Sequence, residues 1–434
     1  MENFLIHDNL SVNDKGHLCL NGHDCVTLAQ NFGTPLYLID EDKVREMCRT
    51  YKRACEKYFE KANVLYASKA LSFKGIYKVV QEEGVFADAV SVGEIYTALR
   101  AGFDAKNLYF HGNAKTKQDI EFAIENGIGC IIADNFTELC NIDAFCASKG
   151  IKQDILLRIT PGIDCHTHEK ISTGKVDSKF GVSIETGQAI EFVKAALECE
   201  NVNLLGLHCH VGSQAFEAQP FTDGADIMFA FLKEIKDKFS FECKILNLGG
   251  GFGVRYKNNE QNLDIDKMMS IIGKNVRDNC QKYGLSIPEI LFEPGRSLVA
   301  AAGTTLYSVV NVKNITGYKN YIAVDGGMAD NPRYALYEAP YTCVIANRMN
   351  EKADFTADVV GRCCESGDII QPSVSIQNAK EDDILATLVT GAYNYSMASN
   401  YNRLTRPALL MLTKDKVKVG IRRETLSDLI KNDE

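Results

Sequence analysis

The chain has 434 residues, 45% of them hydrophobic and 24% charged, with a formal net charge of −9. This is ordinary globular composition, long enough for two domains or for one large domain with an appendage. The acidic balance and the lack of any basic block exclude a nucleic-acid backbone as partner, and no apolar run reaches the roughly 18 residues of a membrane span. The opening stretch MENFLIHDNLSVND has neither a basic nor an apolar leader region, so no secretory signal is expected. Fifteen cysteines occur without a CxxC pair. They are expected to be free thiols in a reducing cytoplasm, most of them small core residues such as Cys130 and Cys209.

In chain order, short apolar runs read as strands: NVLYASK (63–69), VFADAVS (85–91), NLYFHGN (107–113), GCIIAD (129–134), DILLRITPG (154–162), LLGLHCHVGS (204–213), CKILNLGGG (243–251) and EILFEPGR (289–296). The first four start at 63, 85, 107 and 129, 22 residues apart, the length of one βα unit. Helical patterning lies between most of them, as in GEIYTALRAGF (93–103) and AIEFVKAALECE (189–200). Eight alternating βα units predict a closed (β/α)8 barrel. Lys69, Asp88, His111, Asp134, Arg158, His210, Gly249 to Gly251, and Glu293 with Arg296 all fall at the C-terminal end of a run, the face on which such barrels build their sites.

Beyond about residue 300 the texture changes. TLYSVVNVKN, YIAVDGG, YTCVIANR, FTADVVGR, DILATLVTG and ALLMLTKDKVKVGI are β-rich with little helix between them. The reading is a barrel over 37–300 and a second, β-barrel or β-sandwich domain over 301–434. That domain also takes residues 1–36, where HLCLNG and TPLYLI would add a strand.

The motifs carry the chemistry. Lys69, behind Val64, Leu65 and Tyr66, is either a lysine snorkelling from a strand end or an amine kept nucleophilic by apolar neighbours and able to form a Schiff base with an aldehyde. NLGGGFGV (247–254) lets backbone N–H groups approach a phosphate, but it departs from a dinucleotide fingerprint. In FEPGRS (292–297), Glu293 and Arg296 form an ion pair, or Gly295 meets a phosphate and Glu293 keeps a pyridine nitrogen protonated. His208 and His210, two apart on a strand, would point the same way. They lack the partners of a zinc site, and no metal is expected; stacking on a planar cofactor is the better use. DCHTHE (164–169) repeats the spacing. In GRCCESGD (361–368), Cys363 and Cys364 should face opposite ways, one into the core and the other, beside Glu365, as acid or nucleophile.

YASKA, SVGE, HGN, HVGSQ, GGGFG, EPGR, CESGD and GAYNYSMASNYN stand in the order seen in fold-type III pyridoxal-phosphate decarboxylases, and the chain resembles that family over nearly its whole length. HTHEKISTGKVDSKFG (166–181) and the SQ after HVG lean toward the members acting on meso-diaminopimelate, which release L-lysine and CO2. The alternative is a relative acting on D-ornithine, lysine or a carrier-bound amino acid. The resemblance implies pyridoxal 5'-phosphate on Lys69, with His210 stacked on its ring and Glu293 at its nitrogen. Ser213, Gly249, Gly250, Gly251, Gly295, Arg296 and Tyr393 would hold the phosphate region. For the substrate it implies Arg296, Arg333, Tyr337, Glu365 and Tyr393, with Cys364 as proton donor. It further implies a cytoplasmic homodimer with shared active sites. One departure stands out: Arg362 occupies the place of the family's usual proline. Two arginines suit a distal carboxylate, which diaminopimelate has and ornithine lacks.

Overall fold

The computed structural model describes residues 4–162 and 177–434. DCHTHE, with its histidine pair, and most of HTHEKISTGKVDSKFG lie outside the described residues. The chain divides into two compact units.

The first unit spans residues 47–253 and 263–295; eight of its parallel strands form a ring, and a two-residue strand, Val182–Ser183, pairs onto the fifth. The ring strands are β1 (Ala62–Ala67), β2 (Phe86–Ala89), β3 (Leu108–Phe110), β4 (Cys130–Ala133), β5 (Gln153–Thr160), β6 (Val202–His208), β7 (Ile245–Asn247) and β8 (Glu289–Phe292). Each pairs with the next, and β8 pairs back onto β1 with Phe292 opposite Val64, so the expected barrel is closed. Helices follow the strands, among them α1 (Val92–Arg100) and α2 (Gln188–Glu198), close to the expected ranges. Ser91 caps α1 by accepting the Glu94 N–H, the local reason that SVGE opens a helix. Leu65, Tyr109, Ile132, Leu156, Ile245 and Leu291 pack together with Cys130 as one buried cluster. Each large apolar side chain so buried contributes roughly 1.5–3 kcal/mol relative to exposure.

The second unit gathers residues 4–46, 254–262 and 296–434. Its nine-stranded sheet includes Leu36–Asp40, which lies between Gly303–Ile315 and Ala408–Thr413. TPLYLI therefore supplies the N-terminal strand. HLCLNG does not: Leu18–Leu20 forms a separate three-stranded sheet with Leu10–Val12 and His23–Asp24. The strand Ile369–Ile376 was not anticipated from the sequence. It contains Pro372, which cannot donate to a ladder, and Ser373 at φ 49°, so its apolar pattern is broken where the strand bends.

Candidate active site

Barrel strands alternate their side chains, so a core residue and the residue two further on face the same way. Three strands do this within their own length, and in three more the second residue stands one position past the strand end. Phe86, Tyr109, Ile132, Leu156, Ile245 and Leu291 belong to the central cluster or pack against it. Two residues later stand Asp88, His111, Asp134, Arg158, Asn247 and Glu293, all buried. The polar set is the top layer of the barrel's own core.

Glu293 lies at the centre of that layer. Its Oε1 is 2.7 Å from His111 Nε2 and accepts from Asn247 Nδ2 at 2.7 Å, and its Oε2 is 3.3 Å from His208 Nε2. Burial works to raise the Glu293 carboxyl, but His111 and His208 outweigh it and hold it well below the usual range. Burial depresses both imidazoles, His208 to about 3, so they are neutral near pH 7. These three residues are also the one group among those described whose donor atoms, within 4.8 Å of one another, have metal-ligand character. Both imidazole Nε2 atoms are already directed at Glu293.

Lys69 sits in a single 3-10 turn, Ser68–Ala70, just after β1. The turn is anchored by Ser68, whose hydroxyl donates to Glu94 at 2.9 Å, while Glu94 also accepts the Val90 N–H at 2.8 Å. Ser68 and Ala70 are buried and Lys69 itself is exposed, so the amine is presented from a fixed turn rather than embedded in apolar groups as the sequence suggested. Burial raises Asp88 well above its usual value, Glu293 adds to this, and the Lys69 charge opposes it.

His210 lies beyond the end of β6, so it does not share a strand face with His208, contrary to the expectation from their spacing. His210 Nδ1 accepts the Gly250 N–H at 3.1 Å, and burial, with Lys69 and Arg158 nearby, keeps the ring neutral. The glycines are required by backbone approach. A Cβ on Gly249 would lie 2.6 Å from Cys209 O, on Gly250 2.1 Å from Glu293 O, and on Gly251 2.2 Å from Gly212 O. On Gly295 it would lie 2.8 Å from the Ala67 Cβ. Ser213 and Gly250 line a cavity of about 280 Å3 with Val211, Gly212 and Gln214. A glycine-lined cradle, a neutral flat imidazole and an ionised carboxylate fit a phosphorylated pyridine aldehyde.

The second unit carries the cationic residues. Arg333 opens the one-turn helix Arg333–Tyr337 and is buried. Its Nη1 donates to Tyr341 OH at 2.8 Å, and its guanidinium lies 4.9 Å from the Tyr256 ring centre and 5.3 Å from that of Tyr341. Arg296 Nη1 donates to Tyr256 OH at 3.0 Å, and its guanidinium lies 4.8 Å from the Tyr393 ring centre. Burial works to raise the Tyr256 phenol, yet Arg333 and Arg296 outweigh it and hold it below the usual range. Tyr337, paired with Arg333 in the sequence reading, is half-buried at the helix end. Tyr393 adopts φ 60°, a left-handed conformation that costs a non-glycine residue energy and recurs at functional sites.

Cys363 is buried and Cys364 exposed, as anticipated, but they lie in a loop after the strand Phe355–Val360 rather than on it. Asp368 accepts the Cys363 N–H at 2.7 Å and the Met328 N–H at 2.6 Å, and Asn402 accepts the Cys364 N–H at 2.7 Å. Glu365 is exposed beside Cys364. Arg362 uses the group that proline lacks: its N–H donates to Gly326 O at 2.9 Å, which fixes the loop by another means.

Sequence reading singled out the lysine, the glycines, Glu293, both arginines and the cysteine as candidates, and the structure describes the surroundings of each. That reading missed the relation of His111, His208 and Asn247 to Glu293, and the tyrosines Tyr256 and Tyr341 around the arginines. Counting two residues on from each core position would have found His111 and Asn247.

On the barrel side these groups can hold an aldehyde on an amine, keep a proton on a ring nitrogen and admit a phosphate, the work of a pyridoxal-phosphate enzyme. Residues 41–300 match the family described as pyridoxal-dependent decarboxylase, pyridoxal binding domain. The diaminopimelate decarboxylase of Bacillus subtilis (strain 168) is 45% identical over 99% of this chain and 98% of its own length. That of Staphylococcus aureus (strain COL) is 42% identical over 97% and 98%. The crystal structure of the M. jannaschii diaminopimelate decarboxylase superposes with a TM-score of 0.91 at 34% identity, covering 99% of this chain and 98% of that one. The chain belongs to the diaminopimelate decarboxylase family of pyridoxal-dependent decarboxylases.

Proposed function

We propose that this enzyme removes one carboxyl group from meso-2,6-diaminopimelate, giving L-lysine and CO2. The observation that carries the reading is the whole-chain identity, 45% over 99% of the chain, to an enzyme of that name. A relative acting on ornithine or lysine is not favoured: the lysine/ornithine decarboxylase of Vibrio vulnificus is 22% identical and shares the fold alone.

Pyridoxal 5'-phosphate, carried by Lys69, supplies an electron sink for the pair left when CO2 departs. Glu293 holds a proton on the ring nitrogen and the neutral His210 ring packs on the cofactor face. Gly249, Gly250, Gly251, Ser213, Gly295, Arg296 and Tyr393 bind the phosphate region. Arg333, with Arg296, Tyr337 and Tyr393, receives the distal carboxylate, and Glu365 the distal ammonium group. Cys364 returns one proton to the α-carbon, so that loss of CO2 is balanced by gain of H+.

The working form is a cytoplasmic homodimer in which the Cys364–Glu365 loop of each chain serves the partner's Lys69. Support comes from the exposure of Cys364 and Glu365 on a loop whose backbone is pinned by Asp368 and Asn402. The cytoplasmic reading is supported by the free state of every cysteine among the described residues, and none of the described helices is long and apolar enough to cross a membrane. CO2 release measured on meso-diaminopimelate, D- and L-ornithine, lysine and arginine tests the substrate. Preference for ornithine or lysine would refute it.

A further inference from the structure

Both oxygens of Glu293 are engaged by side chains from other strands. His111 follows β3, His208 ends β6, Asn247 ends β7, and Glu293 follows β8. Ladder pairing places His208 opposite Asn247 and Asn247 opposite Leu291, so barrel closure brings the donors to the carboxylate. The two imidazole rings meet edge to face, their centres 4.4 Å apart. An ionised carboxylate only accepts, so each neutral imidazole presents Nε2–H to it. Asn247 is itself oriented, because its Oδ1 accepts the Gly249 N–H at 2.8 Å.

Two features mark the cage as more than packing. His208 Nδ1 is buried with no hydrogen-bond partner among the described residues, a cost that an apolar residue at that position would avoid. And among the described residues the side chains that donate to Glu293 are neutral, two imidazoles and an amide. A lysine or arginine there would also keep the carboxylate ionised, but it would cancel its charge. Neutral N–H groups stabilise the anion without forming an ion pair with it.

We propose that His111, His208 and Asn247 are positioning residues for the decarboxylation: they hold Glu293 ionised and in one orientation, so that an anion rather than a neutral acid faces the cofactor's ring nitrogen. This rests on the role given to Glu293 above. The residues act through Glu293 and touch neither substrate nor the reacting atoms.

The test uses the holoenzyme loaded with pyridoxal phosphate labelled with 15N in the ring, read by the nitrogen chemical shift, with kcat and KM on meso-diaminopimelate and a melting curve. His111→Leu and His208→Leu remove the donor. His111→Gln and His208→Gln keep an N–H at similar reach. Asn247→Asp keeps the shape but sets a second carboxyl beside Glu293, so the two must share a proton. The Leu variants and Asn247→Asp are expected to move the nitrogen signal toward the unprotonated range. They should lower kcat about 10- to 150-fold, as for loss of a charge-assisted hydrogen bond, with KM changed less than about threefold. The Gln variants should recover most of both. Wild-type shift and kcat in Asn247→Asp, or Gln variants as impaired as the Leu variants, would overturn the proposal. Wild-type enzyme that binds no pyridoxal phosphate, or does not decarboxylate diaminopimelate, would instead overturn the function proposed above.

Discussion

Replacing Arg333 by Met separates substrate recognition from folding. The guanidinium donates to Tyr341 OH and lies 4.9 and 5.3 Å from the centres of the Tyr256 and Tyr341 rings. Neither phenol is orphaned by its loss: Tyr341 OH keeps Asn394 Nδ2 at 3.0 Å, and Tyr256 OH keeps Arg296 at 3.0 Å. Met fills much of the volume. The folding cost is therefore one charge-assisted hydrogen bond, about 1.5–3 kcal/mol, and two cation–ring contacts, which a melting curve reads separately from activity. Substrate recognition loses a separate interaction. A charge-assisted hydrogen bond to a carboxylate is worth about 1.5–3 kcal/mol, which converts to about 10- to 150-fold in kcat/KM. Steady-state CO2 release gives that ratio, and the absorbance of bound cofactor after gel filtration gives its retention. Arg333→Met should lower kcat/KM on meso-diaminopimelate by that factor, mainly through KM, and leave cofactor content at wild type. Arg333→Lys should fall between, since it keeps the charge but not the planar fork. Unchanged KM in Arg333→Met, or cofactor loss parallel to the loss of activity, would refute the assignment of Arg333 to the distal carboxylate.

Borohydride reduction of the holoenzyme should place the pyridoxyl group on the peptide containing Lys69, and Lys69→Ala should yield no labelled peptide. Lys69→Ala and Cys364→Ala should each be nearly inactive; after subunit exchange, random two-fold mixing should restore roughly a quarter of wild-type activity, whereas none would return if each site lies within one chain. Burial pushes the Asp330 carboxyl up to about 7, although Tyr307 OH donates to it at 2.6 Å. The folded state then binds the extra proton, so stability falls as pH rises from about 4 to 7, and the melting-temperature difference between Asp330→Asn and wild type should shift in favour of Asn across that window. Arg362→Pro removes the hydrogen bond to Gly326, worth about 0.5–1.5 kcal/mol, but restricts the unfolded chain by about 0.4–1 kcal/mol; urea unfolding should show a net change below about 1 kcal/mol, and kcat should hold.

The barrel was legible because its signals are local. Each strand is an apolar run, each run ends in a residue that an apolar environment would reject, and the runs recur at a fixed spacing. Gly249 to Gly251 stood out too, since three adjacent glycines are unusual, and backbone approaches at 2.1 to 2.6 Å explain why a side chain is excluded there. What escaped was set by closure. Nothing near His111 or Asn247 in sequence points to Glu293, 182 and 46 residues away. His208 and His210 misled by their spacing, because the strand ends between them. Tyr256 escaped for a related reason: it follows the glycine run in the chain but packs with the β-rich unit, where its partners are Arg296 and Arg333.

The two units handle buried charge in opposite ways. In the barrel an anion is held by neutral N–H donors, so Glu293 is stabilised without an ion pair to them. In the β-rich unit two cations are held by phenols, and Tyr256, its ionisation eased by both guanidiniums, contacts each of them. A carboxylate in place of Tyr256 would neutralise Arg296 and Arg333 and leave little charge for a diacid. A phenol orders the guanidiniums by hydrogen bond and ring face. In both units the framework fixes an ion with groups that do not neutralise it, and this is the requirement when the counter-ion is a ligand that must enter and leave.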